Sequence, residues 1–315
     1  MFTEFRGTPL LRLESTGEEA WIHRVFMGSD GLRAGWGCAL FVSLALAFTI
    51  AFELTAARLL RGAGSFWRNG RGPAHMVIDR GLQLIAALIS TWLIARIEKR
   101  SIRTYGFRRE RFLALYLRGA MIGIVGLSML MFAIWLEGGW RIDGLHLHGG
   151  RVWQQGAAWA VAFILAALSE ETQVRGYMLA SLSRGVGFWP AVIALSLVFA
   201  ALHLGNGGEN YCGILFAALA AIAFSFMIWK TGSLALVFGL HAAWDWGESF
   251  LYGTADSGYR IQGYLLQSHG SGDPLFSGGS AGPEGSVLGL PILLLMVIAA
   301  CFTSPRVQTP PPRRI

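Results

Sequence analysis

The chain has 315 residues, of which 54% are hydrophobic and only 14% charged, with a formal net charge of +7 and a mean hydropathy of +0.49. A soluble domain carries about 25% charged residues, so this composition excludes an ordinary soluble protein and indicates a polytopic membrane protein. The basic excess sits in arginine-rich loops between apolar runs, which excludes reading it as a nucleic-acid surface.

Residues 1–35 read as a polar arm. They contain no apolar stretch of the kind a cleaved signal peptide needs. A membrane-spanning helix needs about 20 apolar residues. Eight segments meet that requirement, at roughly 36–55, 77–97, 113–136, 154–178, 187–206, 212–230, 232–251 and 286–303. The expected fold is therefore all-α, a polytopic membrane bundle of about eight transmembrane helices. It divides into the arm (1–35), N-terminal transmembrane helices (36–153), a membrane core (154–303) with an external loop at 252–285, and a disordered tail (304–315).

Between the second and third segments lie Arg96, Lys99, Arg100, Arg103, Arg108, Arg109 and Arg111. The positive-inside rule places that loop in the cytoplasm, which puts both termini there as well. The tail, with Arg306, Arg313 and Arg314, agrees, as does the 252–285 loop with its single arginine on the outside. The 56–76 loop, with Arg58, Arg61, Arg68 and Arg71, runs against the rule. With no organellar targeting signal in view, a bacterial inner membrane is the expected location.

In the third segment Gly119 and Gly123 form a small-xxx-small pattern suited to close helix packing. Cys38, Cys212 and Cys301 all fall within spans, without metal-ligand spacing or a disulfide framework, and read as small packing residues.

The fourth segment carries an energetic anomaly. Glu170 and Glu171 follow a long apolar run, and Arg175 comes one helical turn later. A carboxylate at the centre of a bilayer helix costs about 2.5–3.5 kcal/mol on insertion scales, and two adjacent acids also repel each other. Glu171 and Arg175 are i,i+4 neighbours and can pair, while Glu170 points about 100° away. A structural ion pair accounts for Glu171 and leaves Glu170 unexplained.

Two further clusters follow. Phe199 and His203 are i,i+4 in the fifth segment, and His241 and Asp245 are i,i+4 in the seventh. Each alone is compatible with a hydrogen-bonded core residue. Together they place three acids and two histidines in neighbouring spans, where polar groups must find one another or water. Glutamate with histidine suits general-base activation of water, and histidine with a second polar group suits oxyanion stabilisation. By simple counting Glu170 and His241 lie near mid-membrane and His203 nearer an end. A shared site requires the fifth span to be offset, or the 171–186 stretch to enter the membrane.

The order Glu-Glu-x-x-x-Arg, Phe-x-x-x-His, His-x-x-x-Asp resembles the signature of the CPBP family. These are CAAX-processing and bacteriocin-processing intramembrane proteases, related to the Rce1-type prenyl-protein endopeptidase. The resemblance covers about residues 154–251. It implies an eight-helix intramembrane endopeptidase acting on a membrane-associated peptide or protein, with the bilayer and no nucleic acid as its other partner. Glu170 would then activate water, helped by His203. His241 and Asp245 would stabilise the oxyanion or position the scissile carbonyl. Glu171 and Arg175 would orient Glu170, and Phe199 would pack the site. Many members carry Asn where this chain has Asp245. An ionised aspartate cannot donate to an oxyanion, so it must be protonated or act by orienting His241.

Zinc on Glu170, His203 and His241 with an open position is compatible with these residue types, but no His-Glu-x-x-His helix is present. A glutamate mechanism without cofactor is the favoured expectation. A non-catalytic scaffold or immunity-type protein on the same fold remains the alternative. A proton-coupled carrier and a bis-histidine haem protein on His203 and His241 are the remaining options.

Overall fold

The computed structural model describes residues 21, 25–28, 31–59 and 72–303. Most of the expected arm at 1–35, the whole tail at 304–315, and Arg61, Arg68 and Arg71 lie outside the described residues. All eight apolar segments are helical. A short strand pair, β1 (Met27–Gly28) with β2 (Gly31–Leu32), leads into α1 (Ala34–Leu59), followed by α2 (Pro73–Ile97) and α3 (Phe112–Leu136). Strand β3 (Trp140–Leu145) precedes α4 (Gly150–Glu171), which passes through a π-helical turn at Thr172–Gly176 into α5 (Tyr177–Val186). Then come α6 (Phe188–His203), α7 (Tyr211–Thr231) and α8 (Ala235–Trp246), the last extended by a second π turn at Gly247–Leu251. Strand β4 (Leu266–Gly270) and α9 (Gly289–Thr303) follow within the described residues. The fold is an all-α polytopic membrane bundle. By length and composition five helical stretches can each cross a bilayer, among them the continuous Gly150–Val186.

Local chemistry sets the breaks. Gly187, at φ +88°, separates α5 from α6 in a conformation that residues with a Cβ rarely adopt. Asn210 caps α7 by accepting a hydrogen bond from the Gly213 N–H.

Helix α8 is the centre of the bundle. Ala235 to Leu240 are all buried, so this segment is a core helix rather than a lipid-facing one. It lies against both α3 and α4. Its contact with α3 is backbone to backbone. A Cβ on Gly119 would stand 2.8 Å from the Leu236 carbonyl carbon, and one on Gly239 would stand 2.8 Å from that of Tyr116. The small-residue pattern of α3 thus seats the helix that carries His241. By contrast α1 buries only Gly37 and Phe41, leaving most of its surface outward for lipid.

The 252–285 loop is packed against the bundle rather than free. Strand β4 pairs antiparallel with β3, from Trp140 opposite Gly270 to Leu145 opposite Leu266, with a shift of register between Ile142 and Gly144. This small sheet is an addition to the all-helical expectation. The three cysteines are free and partly buried.

Candidate active site in the membrane core

The end of α4 aims its two glutamates in different directions. Glu171 is fully buried. Its Oε2 accepts from Arg175 Nη1 at 2.6 Å, and its Oε1 lies 2.9 Å from His241 Nδ1. Both charges are out of water, and an ion pair there holds only with good geometry and further hydrogen bonds. The guanidinium of Arg175 lies between two rings, with its carbon 4.8 Å from the Phe199 centroid and 5.4 Å from that of Phe224. Phe199 therefore packs the arginine as well as His203, whose ring is 4.6 Å away.

Glu170 faces a cavity and keeps 27% of its side-chain surface exposed. Arg80 Nη1 of α2 holds its Oε1 at 3.0 Å, and its Oε2 lies 3.9 Å from His241 Nε2. His241 Nε2 is also 3.4 Å from Asp245 Oδ2, across one turn of α8. The imidazole is thus fixed through Nδ1 by Glu171 and presents Nε2 toward Glu170 and Asp245. The expectation that Asp245 orients the ring therefore has a partner in Glu171, whose contact is the shorter.

His203 closes α6 with its Nδ1 2.8 Å from the Phe199 carbonyl. That bond leaves Nε2 as the ring's other functional atom. Glu170, His203, His241 and Asp245 all line one cavity of about 370 Å³, within the usual size range for a ligand site. Glu170, His203 and His241 reach this one cavity from three helices. Helix α6 is only 16 residues long, and α4 runs through its π turn into α5, so the 171–186 stretch is itself part of the helical bundle.

Several cavity residues escape a motif-based reading, namely Arg80, His75, Asn206, Asp256 and Glu284. The signal for Arg80 was present in the sequence, since a charge in an apolar span needs a partner. Asp256 and Glu284 arrive on the 252–285 loop, whose path the sequence does not specify. Trp244 Nε1 donates to Glu284 Oε1 at 2.9 Å, and the Ser257 hydroxyl donates to its Oε2 at 2.6 Å. Burial, then the neighbouring carboxylates of Asp245 and Glu284, push Asp256 well above the usual carboxylate range.

Zinc needs ligand atoms that converge. Among the described residues the acidic and histidine groups that converge in this way are Glu248, Asp256 and Glu284, not Glu170, His203 and His241. Residues 152–247 fit the family model described as type II CAAX prenyl endopeptidase Rce1-like. No curated protein and no solved structure matches the chain. The matched segment begins within α4 and ends at the close of α8, so it contains both glutamates, Arg175, both histidines and Asp245. The likeness to the Rce1-like CAAX endopeptidase model thus covers the segment that holds the candidate site.

Proposed function

We propose that the protein hydrolyses a peptide bond of a membrane-associated peptide or protein, with Glu170 as the base that activates water and with no catalytic metal. The observation that carries this reading is the unequal environment of the two glutamates. Glu171 is buried and saturated by Arg175 and His241. Glu170 opens onto the cavity with Arg80 on one oxygen only. Water between Glu170 and His203 gives up a proton to Glu170 while its oxygen attacks the scissile carbonyl carbon. The carbonyl π electrons move onto the oxygen. In its imidazolium form His241 donates from Nε2 to that oxyanion. The tetrahedral intermediate collapses as the C–N bond breaks, and the departing amine takes the proton back from Glu170. Asp245, 3.4 Å from the same Nε2, gives up that N–H to the oxyanion as it forms, and Glu171 with Arg175 holds the imidazole through Nδ1 from the buried side.

The expected setting is a bacterial inner membrane with both termini in the cytoplasm, as the arginine distribution suggests. The decisive assay is cleavage of a membrane-peptide library by purified protein. Glu170→Ala and His203→Ala abolish turnover while melting temperature stays within a few degrees of wild type. The zinc-selective chelator phenanthroline leaves turnover unchanged. Wild-type cleavage by a folded Glu170→Ala variant would favour a non-catalytic scaffold, and full inhibition by phenanthroline reversed by zinc would sink the metal-free mechanism.

A further inference from the structure

We infer that Glu248, Asp256 and Glu284 form a divalent-cation site of calcium type on the external side of the catalytic cavity. The three carboxylates come from three places. Glu248 lies on the π turn after α8, and Asp256 and Glu284 lie near the two ends of the 252–285 loop. One oxygen of each lies within 4.8 Å of the others. Two oxygens on opposite sides of a calcium ion, each at about 2.4 Å, are about that far apart. The donors are all oxygen, which selects a hard cation over zinc or copper.

A cluster of acids alone is weak grounds for a site, but Glu248 adds a separate observation. It is fully buried, and neither of its carboxylate oxygens finds a hydrogen-bond partner among the described residues. A buried carboxylate with both oxygens unused is costly, because burial without compensation removes its hydration. The rest of the local hydrogen bonding is spent elsewhere. The Thr254 hydroxyl goes to the Glu248 backbone carbonyl, and Trp244 and Ser257 go to Glu284. Arg260, the loop's one arginine, gives Nη2 to the carbonyls of Gly253 and Ser268.

The backbone makes room for the cluster. Gly282 adopts φ +96°, and a Cβ there would stand 3.1 Å from Glu248 Oε1 and press still closer on the Ala255 carbonyl. Only glycine lets the loop pass this near. A cation here would tie the two ends of the loop to the end of α8. Asp256, Ser257, Tyr259, Arg260 and Glu284 of that loop line the cavity, so the ion would fix the roof over the active site without touching the reacting atoms.

The test uses the full chain in a neutral detergent after treatment with EGTA, with melting temperature read against added calcium or magnesium. Calcium raises the melting temperature with half-maximal effect at about 0.1–1 mM, as for extracellular modules, and magnesium does so at tenfold or higher concentration. Isothermal titration gives one calcium per chain. Glu248→Gln keeps the shape and removes a charge. Its calcium-free melting temperature equals or exceeds wild type, and its calcium response weakens at least tenfold. Should Glu248→Gln not fold, Asp256→Asn is read in the same way. No calcium-dependent rise up to 10 mM in wild type, or an equal rise in a folded variant, overturns the site. Because melting and titration are read without substrate, this result is separate from the fate of the hydrolytic reading.

Discussion

Replacing Gly119 by alanine tests whether the contact of α3 with α8 sets the geometry of the active site. The added Cβ would lie 2.8 Å from the Leu236 carbonyl carbon and 2.9 Å from the Leu240 nitrogen, with the Leu236 oxygen nearer still. An ordinary contact begins at 3.4 Å. The carbon alone therefore demands a separation of about 0.6 Å (3.4 minus 2.8), and the oxygen demands more. The three nearest atoms are all backbone, so no rotamer change relieves these clashes and the helices themselves must part. Overpacking of this kind costs about 1–3 kcal/mol. Its larger effect is on catalysis, because α8 carries His241, whose Nδ1 is 2.9 Å from Glu171. A shift of the same size moves that contact to the edge of hydrogen bonding. A misplacement of 1 Å at a reacting centre lowers rates by about 100-fold, so a loss of roughly tenfold or more is expected. The assay pairs melting temperature in detergent with cleavage rate, and Gly81→Ala is the control. A Cβ at Gly81 meets only a leucine methyl at 4.0 Å, so both readouts stay at wild type. Wild-type cleavage and melting in Gly119→Ala would refute the argument that this contact positions the site.

Arg175→Ala leaves Glu171 buried without its cation, and loss of one partner of a buried pair costs about 3–5 kcal/mol. The expected outcome is a sharp fall in melting temperature and in folded yield. Arg175→Lys restores the charge without the planar stacking on Phe199 and Phe224 and recovers the fold only in part. Arg80→Ala removes the group that holds Glu170 Oε1. Cleavage falls at least tenfold while melting changes little, and Arg80→Lys retains more activity than Arg80→Ala. Near the end of α2, Glu98 accepts from the Tyr105 and Tyr177 hydroxyls at 2.8 and 3.0 Å and from Arg184 Nη2 at 2.9 and 3.0 Å. Burial, then the hydrogen bond to Glu98, pushes the Tyr105 phenol up to about 12. Its neutral form is favoured in the fold, so the stability it contributes is whole below pH 10 and is lost as the pH rises toward 12. Tyr105→Phe reduces that alkaline loss in a melting-temperature profile, and an unchanged slope would contradict the linkage.

The apolar runs were legible because spanning length and hydropathy are local properties. All eight runs are helices, and the pairing of Glu171 with Arg175 follows from their spacing alone. The second contact of Glu171, with His241, is not legible, because it joins residues 70 positions apart through the packing of α8 on α4. The same holds for Arg80, whose partner lies two helices away. The loop at 252–285 hid most. Its Gly and Ser content announces turns without a path, and only the pairing of β3 with β4 shows how Asp256 and Glu284 reach the cavity. Asp245 illustrates the limit of spacing from the other side. Its i,i+4 relation to His241 is real at 3.4 Å, yet spacing could not reveal that the opposite ring nitrogen is already held by Glu171.

The π turn at Thr172–Gly176 acts as a built-in insertion. A π turn closes on i to i+5 rather than i to i+4, so it spends one residue more than an α-turn, equivalent to about 100° of helical phase. Glu171 ends α4 and Arg175 lies within the turn, while Tyr177 and Ser181 of α5 are set beyond it toward Glu98 and α1. Two buried clusters at different depths are thereby tuned on one continuous rod. A chain with a one-residue deletion at Gln173 would align well by sequence to either half, but it would turn one of the two clusters out of its partner's reach.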